Sequence, residues 1–278
     1  MPDAFLLDLD GTLYSGAAPV PGAVAAVAAL HDRGLPFRFL TNTTSRSRAG
    51  IVRKLQAFGF AVAPSHIQTP VVVAAALARA EGLTTIVPYV AEEALEDLSG
   101  FELLGGKAGR REGGNSSASP PAFPPSRPPA VLIGDLGTQW TFELMQEAFE
   151  YLAAGARFLA LSRDRYFRAA GGLRLDAGPF VAALEYATGR EATVVGKPSP
   201  AYYAEALAAF AGVNDPARVV MVGDDLWSDV QGAQRAGCQG WLVRTGKFRE
   251  ETLRQGGVTP DRILDSIADL PGIIGGNP

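Results

Sequence analysis

Short apolar runs alternate with helical patterns along almost the whole chain, and this alternation constrains the fold more than any other feature. "AFLLDL" (4–9) and "FRFL" (37–40) read as strands. Between them, "VPGAVAAVAALHDRG" reads as a helix, with Pro21 near its start and Gly34 past its end. Val24, Val27 and Leu30 recur there at helical spacing. Later come "TVV" (193–195), a helix "PAYYAEALAAFAG" with Ser199 as N-cap and Pro200 in its first turn, and the strand "RVVMVG". A helix near 228–237 leads to a last strand, "GWLV". Strands alternating with helices imply right-handed crossovers and a mainly parallel sheet covered on both faces. Ligands of such sheets bind beyond the carboxyl ends of the strands.

The middle of the chain repeats the pattern. "TTIVPYV", "AVLIGDL" and "RFLALS" read as strands, "TFELMQEAFEYLAAG" and "GPFVAALEYATG" as helices. This predicts a second α/β unit over 83–187. Within it, residues 105–130 are rich in Gly, Ser and Pro and poor in core-forming residues, which predicts a flexible insertion.

Composition narrows the function. The chain has 278 residues and is 47% hydrophobic, enough to bury a core for one large or two modest domains. A formal charge of −4 gives no global attraction to nucleic acid. No apolar stretch reaches the roughly 18 residues of a membrane span, and the N-terminus lacks a signal-peptide pattern. The single cysteine, Cys238, excludes an internal disulfide and reads as a small buried hydrophobe before a strand. A cytoplasmic protein without nucleic-acid or membrane partners is expected. The two histidines, His31 and His66, read as surface or capping residues, which argues against Ser-His-Asp catalysis and imidazole zinc sites.

Four polar motifs follow predicted strands. In "DLDGT", Asp8 and Asp10 stand two apart and can face one pocket, Gly11 permits a sharp exit and Thr12 adds a hydroxyl. In "FLTNTT", Thr41 and Asn42 precede a helix, where hydroxyl and backbone N–H groups can hold an anion. In "VVGKPSP", Lys197 supplies a cation suited to a phosphoryl group. In "VVMVGDDLWSD", Asp224, Asp225 and Asp229 crowd together, at a cost unless a cation sits among them. Oxygen donors without nearby His or Cys favour magnesium over zinc. Asp229, early in a helix, can instead serve the helix dipole.

"DLDGT", "LTNTT", "GKPSP" and "GDDLWSD", in this order, resemble the four motifs of the haloacid dehalogenase (HAD) superfamily of phosphohydrolases. "RYFRAAGGLRLDAGPF" and "PFVAALEYATGREATVVGKPSPAYYAEAL" resemble subfamily IIA, the branch that contains phospholysine phosphohistidine inorganic pyrophosphate phosphatase and carries a cap of type C2. The resemblance implies an α/β fold: a Rossmann-like parallel-sheet core over 1–82 and 188–278, and an inserted α/β C2-type cap over 83–187. The wide interval between Thr41 and Lys197 leaves room for that cap. The 105–130 insertion and the "LDAGPF" turn depart from the branch's pattern, and both fall in the cap.

The expected activity is Mg2+-dependent hydrolysis of small phosphorylated compounds or pyrophosphate. Asp8 acts as nucleophile through an aspartyl-phosphate, and Asp10 as acid and base. The resemblance implies magnesium on the Asp8 side chain, the Asp10 backbone carbonyl and the Asp224 side chain. Thr41, Asn42 and Lys197 then bind the phosphoryl oxygens, while Asp225 and Asp229 support the site from behind. Arg163, Asp164 and Arg165, just past a predicted cap strand, are expected to select substrate. A homodimer through the cap is a further implication. A phosphotransferase or phosphomutase on the same chemistry, and a catalytically silent binding module, remain alternatives.

Overall fold

The computed structural model describes residues 1–106, 128–169 and 171–275. The expected 105–130 insertion therefore lies for the most part outside the described residues. By internal contacts the chain divides into two compact units. One comprises Met1–Thr41, Arg48–Gln68 and Lys197–Pro278, the other Asn42–Ser47 and Thr69–Gly196.

The first unit is built on a six-stranded sheet whose pairings are all parallel. Its strand order is Arg262–Leu264, Gln239–Val243, Val219–Gly223, Ala4–Asp8, Phe37–Leu40, Ile67–Gln68. The central strand, Ala4–Asp8, is buried along its whole length. Its near-continuous apolar run belongs to a strand covered on both faces, where an alternating pattern would expose one side. On one face, Phe5, Leu7, Phe37 and Phe39 join Ala23, Ala26, Val27 and Leu30 of the helix Ala23–Asp32 in one core cluster. Val24 packs against its rim. Burial of each large side chain there contributes about 1.5–3 kcal/mol.

After Ala4–Asp8 the chain builds outward through Phe37–Leu40 to Ile67–Gln68. It then returns to the other side of the first strand through Val219–Gly223, Gln239–Val243 and Arg262–Leu264. The direction of winding thus reverses at Ala4–Asp8, and the crevice beyond the carboxyl ends at such a reversal is where doubly wound sheets bind ligands.

Two expectations are corrected. "TVV" does not join this sheet: Thr193–Val194 pairs in parallel with Arg157–Ala160 in the second unit. A strand of two residues carries too little pattern to specify which sheet it joins. The helix near 228–237 begins earlier and differently, as a π-helical turn over Leu226–Gln231 that leads into a short α-helix, Gly232–Arg235.

The second unit holds a five-stranded parallel sheet in the order Thr193–Val194, Arg157–Ala160, Ala130–Ile133, Thr85–Tyr89, Glu102–Leu103. Helices Phe142–Ala153 and Ala177–Thr188 contribute Leu144, Ala148, Val181 and Leu184 to a core with Val87, Val131, Ile133 and Phe158. Thr141 caps the first helix by accepting from Leu144 N–H, a contact worth about 1 kcal/mol. Gly189 ends the second at φ 64°, the left-handed conformation of a C-terminal glycine. Tyr166–Ala169 and Gly172–Leu175 form a separate antiparallel ribbon. No helix among the described residues is long and apolar enough to cross a membrane.

Candidate active site

Strand register brings three of the motifs to one sheet edge. Leu7 pairs with Val222 and Asp8 with Leu40. Asp8 therefore ends the central strand beside Gly223-Asp224 on one side and Leu40-Thr41 on the other. Asp8 and Asp224 are nearly buried, at 7% and 3% exposure. Asp229 is 1% exposed. One carboxylate oxygen from each of Asp8, Asp224 and Asp229 lies within 4.8 Å of the other two.

Lys197 reaches this edge without a core strand to present it. It follows the second unit's Thr193–Val194 strand, after two intervening residues, and a cis peptide bond joins it to Pro198. Its Nζ donates to Asp8 Oδ1 at 2.5 Å and to Asp229 Oδ1 at 2.7 Å, with Leu40 O at 3.4 Å. Burial opposes its charge, but Asp229 and Asp8 reverse that effect and raise Lys197 well above its ordinary range.

One cation does not balance three carboxylates. Burial first, then the charges of Asp8 and Asp229, push Asp224 up to about 8. Burial and Asp8 likewise raise Asp229, against the attraction of Lys197. A divalent cation would relieve both shifts, and an all-oxygen donor set suits Mg2+. The backbone around Asp224 is shaped for close approach. An added Cβ on Gly11 would stand 2.0 Å from Asp224 Oδ2, and one on Gly246 would stand 1.9 Å from it. Both glycines have positive φ, 94° and 59°. The donors and their glycine cradle fit the magnesium that the sequence implies.

Asp10 lies beyond the strand and is exposed. Surrounding protein atoms first, and then the Asp8 charge, raise its carboxyl above the usual range. Thr12 is fully buried, and its hydroxyl finds no hydrogen-bond partner among the described residues. Thr41 N–H donates to the Tyr202 hydroxyl at 3.0 Å and to Gln68 O at 3.2 Å. The Tyr202 proton faces the carbonyls of Thr41 and Gln68, at 2.8 and 2.9 Å. Asn42 groups with the second unit.

The two supporting acids behave differently from one another. Asp225 turns away from the cluster: its Oδ1 accepts from the N–H groups of Trp227 and Ser228 at 3.0 and 2.9 Å, and its Oδ2 meets Lys247 Nζ at 3.1 Å. Burial opposes ionisation there, yet Lys247 and these N–H groups hold Asp225 below its usual range. Asp229 turns inward, taking Lys197 on Oδ1 and Asp225 N–H on Oδ2 at 3.1 Å. Its role extends well past serving a helix dipole.

The segment Arg244–Phe248, after the Gln239–Val243 strand, was absent from the sequence reading. Lys247 N–H donates to Asp224 Oδ2 at 2.7 Å, and Thr245 Oγ1 donates to Gly11 O at 2.5 Å. A Thr-Gly-Lys turn one residue after the predicted strand "GWLV" was the available signal. Tyr203 was also missed: its hydroxyl lies 2.7 Å from Ser228 O and 3.1 Å from Asp229 O.

Of the expected selectivity residues in the second unit, Arg163 pairs with Glu185. Asp164 N–H donates to Ser162 Oγ at 3.0 Å, and Arg165 O accepts from Asp176 N–H at 3.2 Å. Cys238 is buried, with its thiol pushed up to about 11 by burial. His66 Nδ1 accepts from Ala63 N–H, as a capping residue does.

Comparison with known proteins agrees with this geometry. A family model described as haloacid dehalogenase-like hydrolase matches residues 5–103, and a second HAD-hydrolase-like model matches 194–270. Phospholysine phosphohistidine inorganic pyrophosphate phosphatase of Homo sapiens is 36% identical, over 95% of this chain and 91% of its own. Haloacid dehalogenase-like hydrolase domain-containing protein 2 of Bos taurus is 36% identical, over 88% and 85%. Among solved structures, a p-nitrophenyl phosphatase from Archaeoglobus fulgidus superposes with a TM-score of 0.83 at 28% identity, covering 98% of this chain and 99% of its own. A glycerol phosphate phosphatase from Mycobacterium tuberculosis, solved with magnesium, gives 0.76 at 28% identity, covering 97% and 76%. The chain belongs to the haloacid dehalogenase-like hydrolases.

Proposed function

We propose that this chain is a magnesium-dependent phosphohydrolase that passes a phosphoryl group from a small phosphorylated compound or pyrophosphate to Asp8 and then to water. The observation that carries this reading is Lys197 held between Asp8 and Asp229, with the Asp224 carboxylate in the same cluster. Asp8, Asp224 and the Asp10 main-chain carbonyl would hold Mg2+. The bound cation offsets carboxylate repulsion and the charge on the transferring oxygens.

The chemistry then falls to the chain's own groups. Lys197 occupies Asp8 Oδ1, so Oδ2 is assigned as the attacking atom. As Oδ2 bonds to phosphorus, the bond from phosphorus to the leaving oxygen breaks, and Asp10 gives that oxygen its proton. The raised Asp10 carboxyl favours the protonated form this step needs. Asp10, now a carboxylate, takes a proton from the water that attacks the aspartyl-phosphate, and Asp8 is regenerated. Lys197, Thr41 and Asn42 are assigned to the non-reacting phosphoryl oxygens. Asp225 is assigned to the Leu226–Gln231 turn and Asp229 to the orientation of Lys197.

The second unit is assigned the role of cap, expected over 83–187, with the Arg163–Arg165 loop contributing to substrate choice. The ribbon's exposed Tyr166, Leu173 and Leu175 support self-association. The relatives named for pyrophosphate and for phosphate monoesters favour small substrates. The test is phosphate release from a panel containing pyrophosphate, an aryl phosphate, glycerol phosphate and a phosphoamidate, with and without Mg2+. Release from at least one that requires Mg2+ is expected. No release from any would overturn the reading.

A further inference from the structure

At the far end of the same sheet lies a pocket that phosphoryl transfer does not use. It is an open pocket of about 300 Å³, lined by His31, Leu35, Phe37, Arg38, Ser65, His66 and Phe210 among others. Phe37 opens the strand whose last residue, Leu40, precedes Thr41. At roughly 3.3 Å per residue the pocket lies about 10 Å from the catalytic edge.

Its lining carries one guanidinium, two imidazoles and a hydroxyl, and no carboxylate. Arg38 Nε is buried and has no hydrogen-bond partner among the described residues. The Glu205 carboxylate attracts the Arg38 guanidinium. A buried guanidinium N–H left unsatisfied costs about 1–3 kcal/mol or more.

The imidazoles are oriented by the backbone. His66 Nδ1 accepts from Ala63 N–H at 3.1 Å, so its proton sits on Nε2, a second donor. His31 Nε2 lies 3.1 Å from Ala61 O and must donate there. The Phe37 ring holds both, stacked on His66 at 4.9 Å and edge-on to His31 at 5.0 Å. Burial first, then the charges of His31 and Arg38, lower His66.

We infer that this pocket binds a small oxyanion, a phosphate, sulfate, phosphonate or carboxylate group, carried on an apolar or aromatic body. The head group would accept from the Arg38 guanidinium, His66 Nε2 and the Ser65 hydroxyl. The body would lie against Leu35 and Phe210. A pocket of this size exceeds a bare oxyanion and sits at the lower limit of small-molecule sites.

The chain has two histidines, and both line this pocket. Imidazole NMR signals of the full chain therefore report on it and not on the acids at the other edge. The probes are sulfate, phenylphosphonate and, as neutral control, benzyl alcohol. Saturable shifts of both imidazoles are expected with the two oxyanions, at lower concentration for phenylphosphonate. Arg38→Gln should abolish them and leave aryl-phosphate hydrolysis unchanged. Where Arg38→Gln does not fold, Ser65→Ala should weaken both probes several-fold. Absent or non-saturating shifts would overturn the inference. So would equal shifts with benzyl alcohol, or shifts unaltered in the folded variants.

Discussion

Lys197 Nζ sits 2.5 Å from Asp8 Oδ1, although 189 positions separate the two residues in the chain. With Asp229 on its other side, Lys197 is the cation that lets two carboxylates share a buried site. Removing one partner of a buried ion pair leaves its charge uncompensated, at a cost of about 3–5 kcal/mol.

Lys197→Met should therefore abolish activity and destabilise the fold in a pH-dependent way. At pH 6 Asp224 and Asp229 hold protons, since they are pushed up to about 8 and about 7. The loss should be smaller there than at pH 9. Urea unfolding of variant and parent at both pH values measures the difference. An equal loss at both would contradict the charge argument.

The raised carboxyl of Asp224 also fixes the sign of a stability profile. Its unfolded form releases its proton near pH 4, while the folded form keeps it up to about pH 8. Between these values unfolding releases a proton, so stability without metal falls as pH rises. Mg2+ competes with that proton. The rise in Tm on adding Mg2+ should be larger at pH 8.5 than at pH 6, and scanning calorimetry with and without EDTA reads both effects.

Gly246→Ala places a methyl group where Asp224 Oδ2 now lies, 1.9 Å from the new carbon. Mg2+ affinity should fall at least tenfold. Gly257→Ala is the control: φ is similar, 65° against 59°, but nothing stands within 4 Å of its Cβ. It should cost only the backbone strain of about 1 kcal/mol and leave Mg2+ binding intact. Isothermal titration with Mg2+ separates the two.

Tyr202→Phe removes the hydroxyl that accepts from Thr41 N–H. The Thr41 N–H keeps its longer contact with Gln68 O, at 3.2 Å. A stability loss of about 1–3 kcal/mol is expected, with a rise in KM larger than the fall in kcat if Thr41 holds a phosphoryl oxygen. Denaturant unfolding and steady-state kinetics check the two parts.

How much of this was legible in the chain varies by residue. Asp8 and Asp224 were legible because an acid directly after an apolar run marks a strand's carboxyl end, and the fold follows from the alternation of runs. Lys197 was identified with the wrong support: "TVV" is too short to say which sheet it joins, and only tertiary pairing assigns it to Arg157–Ala160. Asp225 and Asp229 looked like similar supporting acids. The π-helical turn separates them, with one capping the turn and the other reaching Lys197. The Arg244–Phe248 segment was missed because its contributions to Asp224 and Gly11 depend on strand neighbours that no local pattern reveals.

Attack by Asp8 on phosphorus is the central claim, and rapid acid quench of the enzyme during turnover with Mg2+ tests it most directly. Peptide mapping by mass spectrometry should find one phosphoryl group on the peptide containing Asp8 in the parent, and none in Asp8→Asn, which should also release no phosphate. Mg2+-dependent turnover retained by Asp8→Asn, or a phosphoryl group found on another residue, would contradict the account.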